Sequence, residues 1–583
     1  MTKNKQLNWR QGLLILGIIW LAGAIGDRIW FALDRSVPAW DQAYHLNGAM
    51  NYWKALQTPQ WFDGNWWRDF WLNSTKFPPL TYILTVPFLN LFGTSAGAAT
   101  LIMLPMSAML LLSVYGLGVV LFNVSVGLWA AGLCQLLPGL YRYRLDFLLD
   151  YPLAAFVTLS FCLLTLWKFK TNSIPSSSIC SAAFGLAFGL ALMVKQTALF
   201  FLLLPLLWAI AETLRQRKWG KFAQLLVGLG LSIVVFAPWY RTNWLLILTS
   251  GERATIESAI KEGDPPLNTL DAWTYYVRIL PELLSFPLLL IPIASFLIYW
   301  VKKGKNALFP PSPHLPILPT WTWLAVFILG GYFLSSLNIN KDSRYILPLL
   351  PVLSLVLAAG LLSWKGRWGD RLRWGTVGVG ILLMVLNLFP LAGARLTQIL
   401  SPNMQHHAYW GKPWPHEEVV KEIIQTSPYL RSTLGVLPST PEINQHNFSF
   451  YGKLFNSQVA GRQVGVRKQE VGQDARSLDW FLTKTDDRGS VPESQAAMVK
   501  RVEGGSDFQL KNTWLLPDNS TLKLYRRIQP SVEVRPLSQS QNQVRLDRAT
   551  LPEKAPPGLP VPITYQWSGP WEQLESGLVL LTW

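Results

Sequence analysis

From residue 11 to residue 397 the chain runs in apolar stretches of about twenty residues broken by short polar ones, and from 401 onward the pattern changes. A helix needs roughly 20 apolar residues to cross the hydrocarbon of a bilayer. The runs at 11–31, 98–121, 125–145, 150–168, 178–194, 196–213, 222–240, 283–301, 320–337, 344–363 and 375–396 therefore predict eleven membrane helices. PPLTYILTVPFLNLFG, 78–93, is shorter and carries three prolines, and it is expected to be an interfacial or re-entrant element. PAWDQAYHLNGAMNYW, 38–53, predicts an amphipathic helix reaching to about residue 56, just past the first span.

Beyond 401 the periods are those of a water-exposed fold. HEEVVKEIIQ (416–425) and NQHNFSFYGKLF (444–455) predict helices; TLGVLP (433–438), VAGRQVGVR (459–467) and SLDWFLTK (477–484) predict strands. Their alternation implies a small α/β layer. VPITYQW and SGLVLLTW, in the proline-rich stretch 530–583, alternate as strands and suggest the start of a β-sandwich-like appendage. The organisation expected is a transmembrane domain (1–400), an extracytoplasmic α/β domain (401–529) and a β-rich C-terminal segment (530–583).

Composition agrees. Of 583 residues 50% are hydrophobic and 15% charged, with a mean hydropathy of +0.24, where soluble chains carry about a quarter charged residues. The net charge of +17 does not point to nucleic acid. Its lysines and arginines cluster in short loops between spans: TKNKQLNWR at the start, WKFK (167–170), RQRKWGK (215–221), VKKGK (301–305) and WKGRWGDRLRW (364–374). If 78–93 does not cross, all five groups share one side, which the positive-inside rule makes cytoplasmic. The C-terminal domain then lies outside the cell membrane. The first run has no small-residue cleavage site and is expected to be a retained helix. Cys134, Cys162 and Cys180 fall in or beside apolar runs and suggest neither disulfides nor zinc.

The same topology puts Asp41, Lys76, Asp146, Asp150, Lys195, Lys341 and Arg344 at the outer surface. Ionisable groups at a membrane boundary are costly unless paired or solvated, so their convergence on one face suggests a site. Asp41 can act as a general base toward a bound hydroxyl; the structural alternative is a helix N-cap. Gln42 and His45 can hydrogen-bond a polar substrate. Lys76, in NSTKFPPLTY (73–82), is held by the following prolines at headgroup depth, or simply snorkels. In YRYRLDFLLDYPLAA (141–155) Asp146 and Asp150 are four apart and would share a helix face, with Arg142 and Arg144 available to pair with them. Lys195 sits at the tip of a tight turn in FGLALMVKQTALFFLLLP (188–205). In SSLNINKDSRYILPLLP (335–351), Lys341 and Arg344 call for an anionic partner, Arg binding phosphate bidentately, with Tyr345 as a substrate contact. WFDGNWWRDFW (61–71) reads as an interfacial aromatic belt rather than a sugar platform. His406, His407 and His416 lack an acidic partner set, so no metal site is assigned, and no phosphate-cradling glycine loop is evident.

Taken in order, WDQAY, KFPPLTY, LDFLLDYPLAA, LMVKQTAL and KDSRYILPLLP resemble the C-type glycosyltransferases that use polyprenyl-phosphate-linked sugars, in particular the bacterial aminoarabinose transferases and protein O-mannosyltransferases of family 39. The resemblance covers about residues 10–400. It implies an inverting transfer on the non-cytoplasmic face of the plasma membrane, with Asp41 as catalytic base. Lys76, Lys195, Lys341 and Arg344 would hold the donor phosphate, and His45, Asp146, Asp150 and Tyr345 would contact substrate. Family members commonly have an acid after the catalytic Asp, where this chain has Gln42; Thr75 replaces a Glu, and Phe77 separates Lys76 from Pro78. These departures leave a divalent metal open and no cofactor assigned. The expected partners are a polyprenyl-phosphate sugar, membrane lipid, and an acceptor protein, lipid or glycan. A transporter or flippase of lipid-linked sugars is the main alternative, but it needs a polar path through spans that are almost wholly apolar.

Overall fold

A computed structural model of the chain describes residues 8–576 apart from 75, 171–172, 253–255, 304–316, 365, 492–493, 540, 553, 555–560 and 562. Among these, eight helices are long and apolar enough to cross a membrane: Trp9–Leu33 (α1), Ala96–Leu121, Asp150–Phe169, Ile174–Val194, Ala198–Arg215, Trp219–Gly251, Ser343–Leu362 and Arg367–Leu388. Two bent pairs raise the number to ten, Val124–Leu136 with Pro138–Leu145 at 57° and Leu270–Leu284 with Phe286–Tyr299 at 104°. The apolar helix Ile317–Ser336 takes the remaining expected position, so each predicted run has a helical counterpart. Local chemistry explains the bends. Pro138 opens its half-helix without an N–H to continue the first half, and Ser285 turns the second pair with a left-handed φ of 63°.

Without a hydrophobic drive between helices in lipid, close packing needs small residues. Ile174–Val194 and Trp219–Gly251 meet in this way: a Cβ on Gly185 would lie 1.9 Å from the carbonyl oxygen of Gly228.

Three short helices lie between the first two spans: Trp40–Ala55 (α2), Gly64–Leu72 (α3) and Leu80–Phe92 (α4). Asp63 caps α3 by accepting from the Asn65 N–H. The 13 residues of α4 fall short of a membrane crossing. Gly48 brings α2 and α4 together, since a Cβ there would be 3.0 Å from the Tyr82 ring. Trp239 and Asn243, near the end of the long Trp219–Gly251 helix, hold the next segment: Trp239 Nε1 donates to Ser74 Oγ (3.1 Å) and Asn243 Nδ2 to the Trp71 carbonyl (3.0 Å). Trp61, Trp66, Trp67, Phe70 and Trp71 pack ring on ring along α3, and Phe62 projects fully into its surroundings, an arrangement that fits an interfacial belt.

After the last span comes a mixed five-stranded sheet, order β2-β1-β3-β5-β4, from Ser432–Val436 (β1), Val459–Gln463 (β2), Trp480–Lys484 (β3), Phe508–Leu515 (β4) and Thr521–Arg527 (β5). β1 pairs parallel with β2 and β3, and β5 runs antiparallel to β3 and β4. Strand alternation sends Trp480 and Leu482 into a core with Val419, Ile423 and Phe448 on one face, and Phe481 into a second core with Met498 and Val502 on the other. The helices expected at 416–425 and 444–455 are His416–Thr426 and Gln445–Leu454. The C-terminal end differs from expectation: among the described residues it forms a two-stranded antiparallel ribbon, Arg545–Thr550 (β6) with Thr564–Ser568 (β7), not a sandwich. All of the expected strand SGLVLLTW except Ser576 lies outside the described residues.

Two local expectations are corrected. Asp146 and Asp150 do not share a helix face, because the helix Pro138–Leu145 ends before Asp146 and the next begins at Asp150. Arg142 and Arg144 do not pair with them. Arg144 instead makes a buried two-point ion pair with Asp27 of α1 (2.6 and 2.8 Å), and Arg142 donates to the Asn403 carbonyl at 2.6 Å.

Candidate active site

Asp41 stands in the first turn of α2, but Ala39 is the N-cap and no side chain caps the helix. Its carboxylate reaches across to Arg344, with Nη2 at 2.7 Å from Oδ2. Arg344 lies in the turn Ser343–Leu349, which Asp342 caps by accepting the Arg344 backbone N–H at 3.0 Å; Asp342 also ion-pairs with Arg344 Nε at 2.8 Å. The Asp41 side chain remains 56% exposed and that of Arg344 19%, so a ligand can reach the acid while the guanidinium is held. Burial pushes the Asp41 carboxyl up, but Arg344, His45 and Lys76 outweigh it and hold it down at about 2.

Lys195 ends the helix Ile174–Val194 in extended backbone, which turns its ammonium to Asp150 at 2.6 Å. Asp150 is the first residue of its helix and makes no cap bond. The Tyr345 ring lies under both cations, 4.9 Å from Lys195 Nζ and 5.7 Å from Arg344 Cζ. Lys76 rests over the rings of Tyr44 (5.4 Å) and Phe77 (5.0 Å), and its carbonyl accepts from Gln196 Nε2 at 2.8 Å. Thus Gln196, next to Lys195 in the turn, ties the two lysine segments together.

His45 is buried, with Nδ1 2.7 Å from the Tyr82 hydroxyl. Burial lowers its imidazole to about 3 despite the nearby Asp41, so the ring is neutral at ordinary pH. Asp146 accepts from Gln42 Nε2 at 2.6 Å and lies 3.1 Å from His406 Nε2. Burial raises its carboxyl, but His406, Arg142 and Arg344 bring it below the usual range.

One expected cation is placed apart. The Lys341 ammonium donates to the carbonyls of Ser336 and Asn338, each at 2.6 Å, and its backbone N–H donates to Asp264 at 2.8 Å. It closes the C-terminal end of Ile317–Ser336, where carbonyls lack helical partners. Asp41, His45, Lys76, Asp146, Asp150, Lys195, Arg344 and Tyr345 form one connected group at one end of the bundle.

Several members escaped the sequence. Asp342 stands two residues before Arg344 in KDSRYILPLLP, and an acid so close to the cation was the available signal. His406 stacks on Trp30 (4.9 Å) as well as facing Asp146. His416 is buried in the C-terminal domain between the rings of Phe448 and Tyr451, so the three histidines do not gather. Among the described residues no cluster of three or more His, Cys, Asp or Glu is arranged as metal ligands. Asp41, Asp146 and Asp150 each face a different basic partner rather than one centre, so this donor set does not fit a divalent cation.

Residues 76–241, which include Lys76, Asp146, Asp150 and Lys195, match the family model described as dolichyl-phosphate-mannose-protein mannosyltransferase. No curated protein sequence matches the chain. Among solved structures, ArnT from Cupriavidus metallidurans bound to undecaprenyl phosphate superposes with a TM-score of 0.55 at 14% identity, covering 88% of this chain and 97% of that one. The apo state of ArnT from Cupriavidus metallidurans gives 0.52 at 14%, over 87% and 97%. Arabinofuranosyltransferase AftD from Mycobacteria gives 0.50 at 12% over 90% of this chain, which spans 40% of that protein. The chain therefore has the polytopic helical fold seen in these membrane glycosyltransferases. Its 76–241 segment in addition is similar to the mannosyltransferase family.

Proposed function

We propose that the protein transfers a sugar from a polyprenyl phosphate to an acceptor hydroxyl on the extracytoplasmic face of the plasma membrane, with inversion and with Asp41 as general base. The observation that carries this reading is the Asp41–Arg344 pair, at 2.7 Å, beside the Lys195–Asp150 pair, with Tyr345 under both cations. Nucleotide sugars do not cross membranes, so an outward-facing site needs a donor already flipped on its lipid. Arg344 and Lys195 would take the donor phosphate; Lys76, expected with them, lies instead over the Tyr44 and Phe77 rings. Negative charge grows on the phosphate as the glycosidic bond breaks, and fixed cations stabilise it without reorganising.

A carboxylate held near 2 is a poor base. The donor phosphate competes for the Arg344 guanidinium, which still has Asp342 to hold it, and the Asp41 carboxyl rises as its partner is drawn away. Donor binding thereby readies the base. Asp41 then takes the acceptor proton as the hydroxyl oxygen attacks the anomeric carbon from the face opposite the departing phosphate.

The test is incubation of the purified protein in proteoliposomes with a radiolabelled polyprenyl-phosphate sugar and host membrane extract. Label covalently moved to a new product supports the transferase; label only relocated across the bilayer refutes it in favour of a flippase.

A further inference from the structure

The C-terminal domain touches the site through one helix. Gln445–Leu454, opened by a capping box at Asn444, lies along α2. Asn47 Nδ2 of α2 donates to the His446 carbonyl at 2.9 Å, and Lys453 Nζ donates to the Asn47 carbonyl at 3.0 Å and to Asn51 Oδ1. Tyr44, Asn47 and Asn51 are spaced by three and four residues and so form one stripe of α2, with Asp41 a turn before them. His446 is at the end of the docked helix nearest Asp41. Its ring stands edge-on to Tyr44, with centroids 5.3 Å apart, and the same Tyr44 ring carries Lys76 at 5.4 Å. The backbone on both sides of His446 is pinned, by Asn444 at its N–H and by Asn47 at its carbonyl.

The donor-side cations come from other elements, Lys195 from the turn after Ile174–Val194 and Arg344 from Ser343–Leu349. His446 is thus brought to the Asp41 end of α2 by the C-terminal domain rather than by the bundle, and an acceptor entering from that domain's side would meet it. We infer that His446 is a specificity-determining residue for the acceptor, its imidazole hydrogen-bonding a polar group beside the hydroxyl that Asp41 deprotonates. Burial keeps that ring below its ordinary pKa, so it offers one donor and one acceptor nitrogen rather than a charge. The C-terminal domain is then a wall of the active site. This rests on the transferase reading above.

The experiment compares His446→Leu and His446→Gln with wild type in the label-transfer assay, titrating donor and host membrane extract separately. The Leu variant should raise the apparent KM for extract about tenfold, the loss of one hydrogen bond. The Gln variant, which keeps polar atoms, should rise less. Both should keep the donor KM, a split that a merely structural defect would not give. Wild-type acceptor KM in the Leu variant, or a shift in donor KM instead, overturns the role of His446. Absence of transfer by the wild type overturns the reading beneath it. Should the Leu variant fail to accumulate, His446→Ala carries the same comparison.

Discussion

Replacing Asp41 by Asn keeps the side chain's shape and removes one negative charge. The structure separates the catalytic effect of that change from any folding effect. Asp41 is 56% exposed and Arg344 keeps its second carboxylate, Asp342, at 2.8 Å. No buried charge is left unpaired, and exposed ion pairs are worth about 0.2–1 kcal/mol. The melting temperature in detergent should hardly move. The loss of a general base lowers kcat by about 10²–10⁴, or roughly 2.7–5.4 kcal/mol of barrier. Because Arg344 is freed rather than lost, donor KM should stay level or fall. The assay is initial-rate label transfer from the polyprenyl-phosphate sugar at several donor concentrations, alongside a thermal melt. An Asn variant that folds and keeps kcat within about threefold of wild type would refute Asp41 as the base.

Lys195→Met should destabilise the protein by about 3–5 kcal/mol, since it strands Asp150, whose side chain is only 4% exposed. Lys195→Met combined with Asp150→Asn should recover the melting temperature but still raise donor KM; a double variant with wild-type donor KM would remove Lys195 from the phosphate site. Gly185→Val should lower the melting temperature by the equivalent of about 1–3 kcal/mol or more, because its Cβ would collide with the Gly228 carbonyl, and an unchanged melt would contradict the helix packing. His45 and His416 are held down to about 3 and about 4, against an ordinary 6.5. The unfolded chain protonates them first, so their stabilising effect is full above about pH 6.5 and falls by up to about 1.4 kcal/mol per pH unit and group as acid is added. Asp41, lowered from 3.8 to about 2, adds a loss only below about pH 3.8. His416→Phe, filling the slot between Phe448 and Tyr451, should flatten the slope between pH 6.5 and 4; identical slopes would contradict a buried neutral imidazole there.

The spans were legible because a bilayer reads length and hydropathy, both local properties. The first C-terminal strands and helices were legible because their periods of two and 3.6 are local as well. Charge at the ends of apolar runs flagged Asp41, Lys195 and Arg344, because an ion at a membrane boundary is costly wherever the chain later folds. Pairing was not legible. Asp146 and Asp150 looked like neighbours on one helix and went to different partners, His406 and Lys195. Lys341 looked equivalent to Arg344, yet its ammonium closes a helix end three to five residues away.

By itself, then, the order of apolar runs and boundary charges determined a polytopic helical protein with a reactive-looking face and a separate α/β domain. Tertiary structure alone decided which acid meets which cation, and that His446, some 400 residues from Asn47 in the chain, docks against it from the C-terminal domain. The reason is range. Helix and span formation depend on interactions within a few turns, whereas an ion pair or a docking contact depends on where two distant backbones come to rest, and no local pattern encodes that distance.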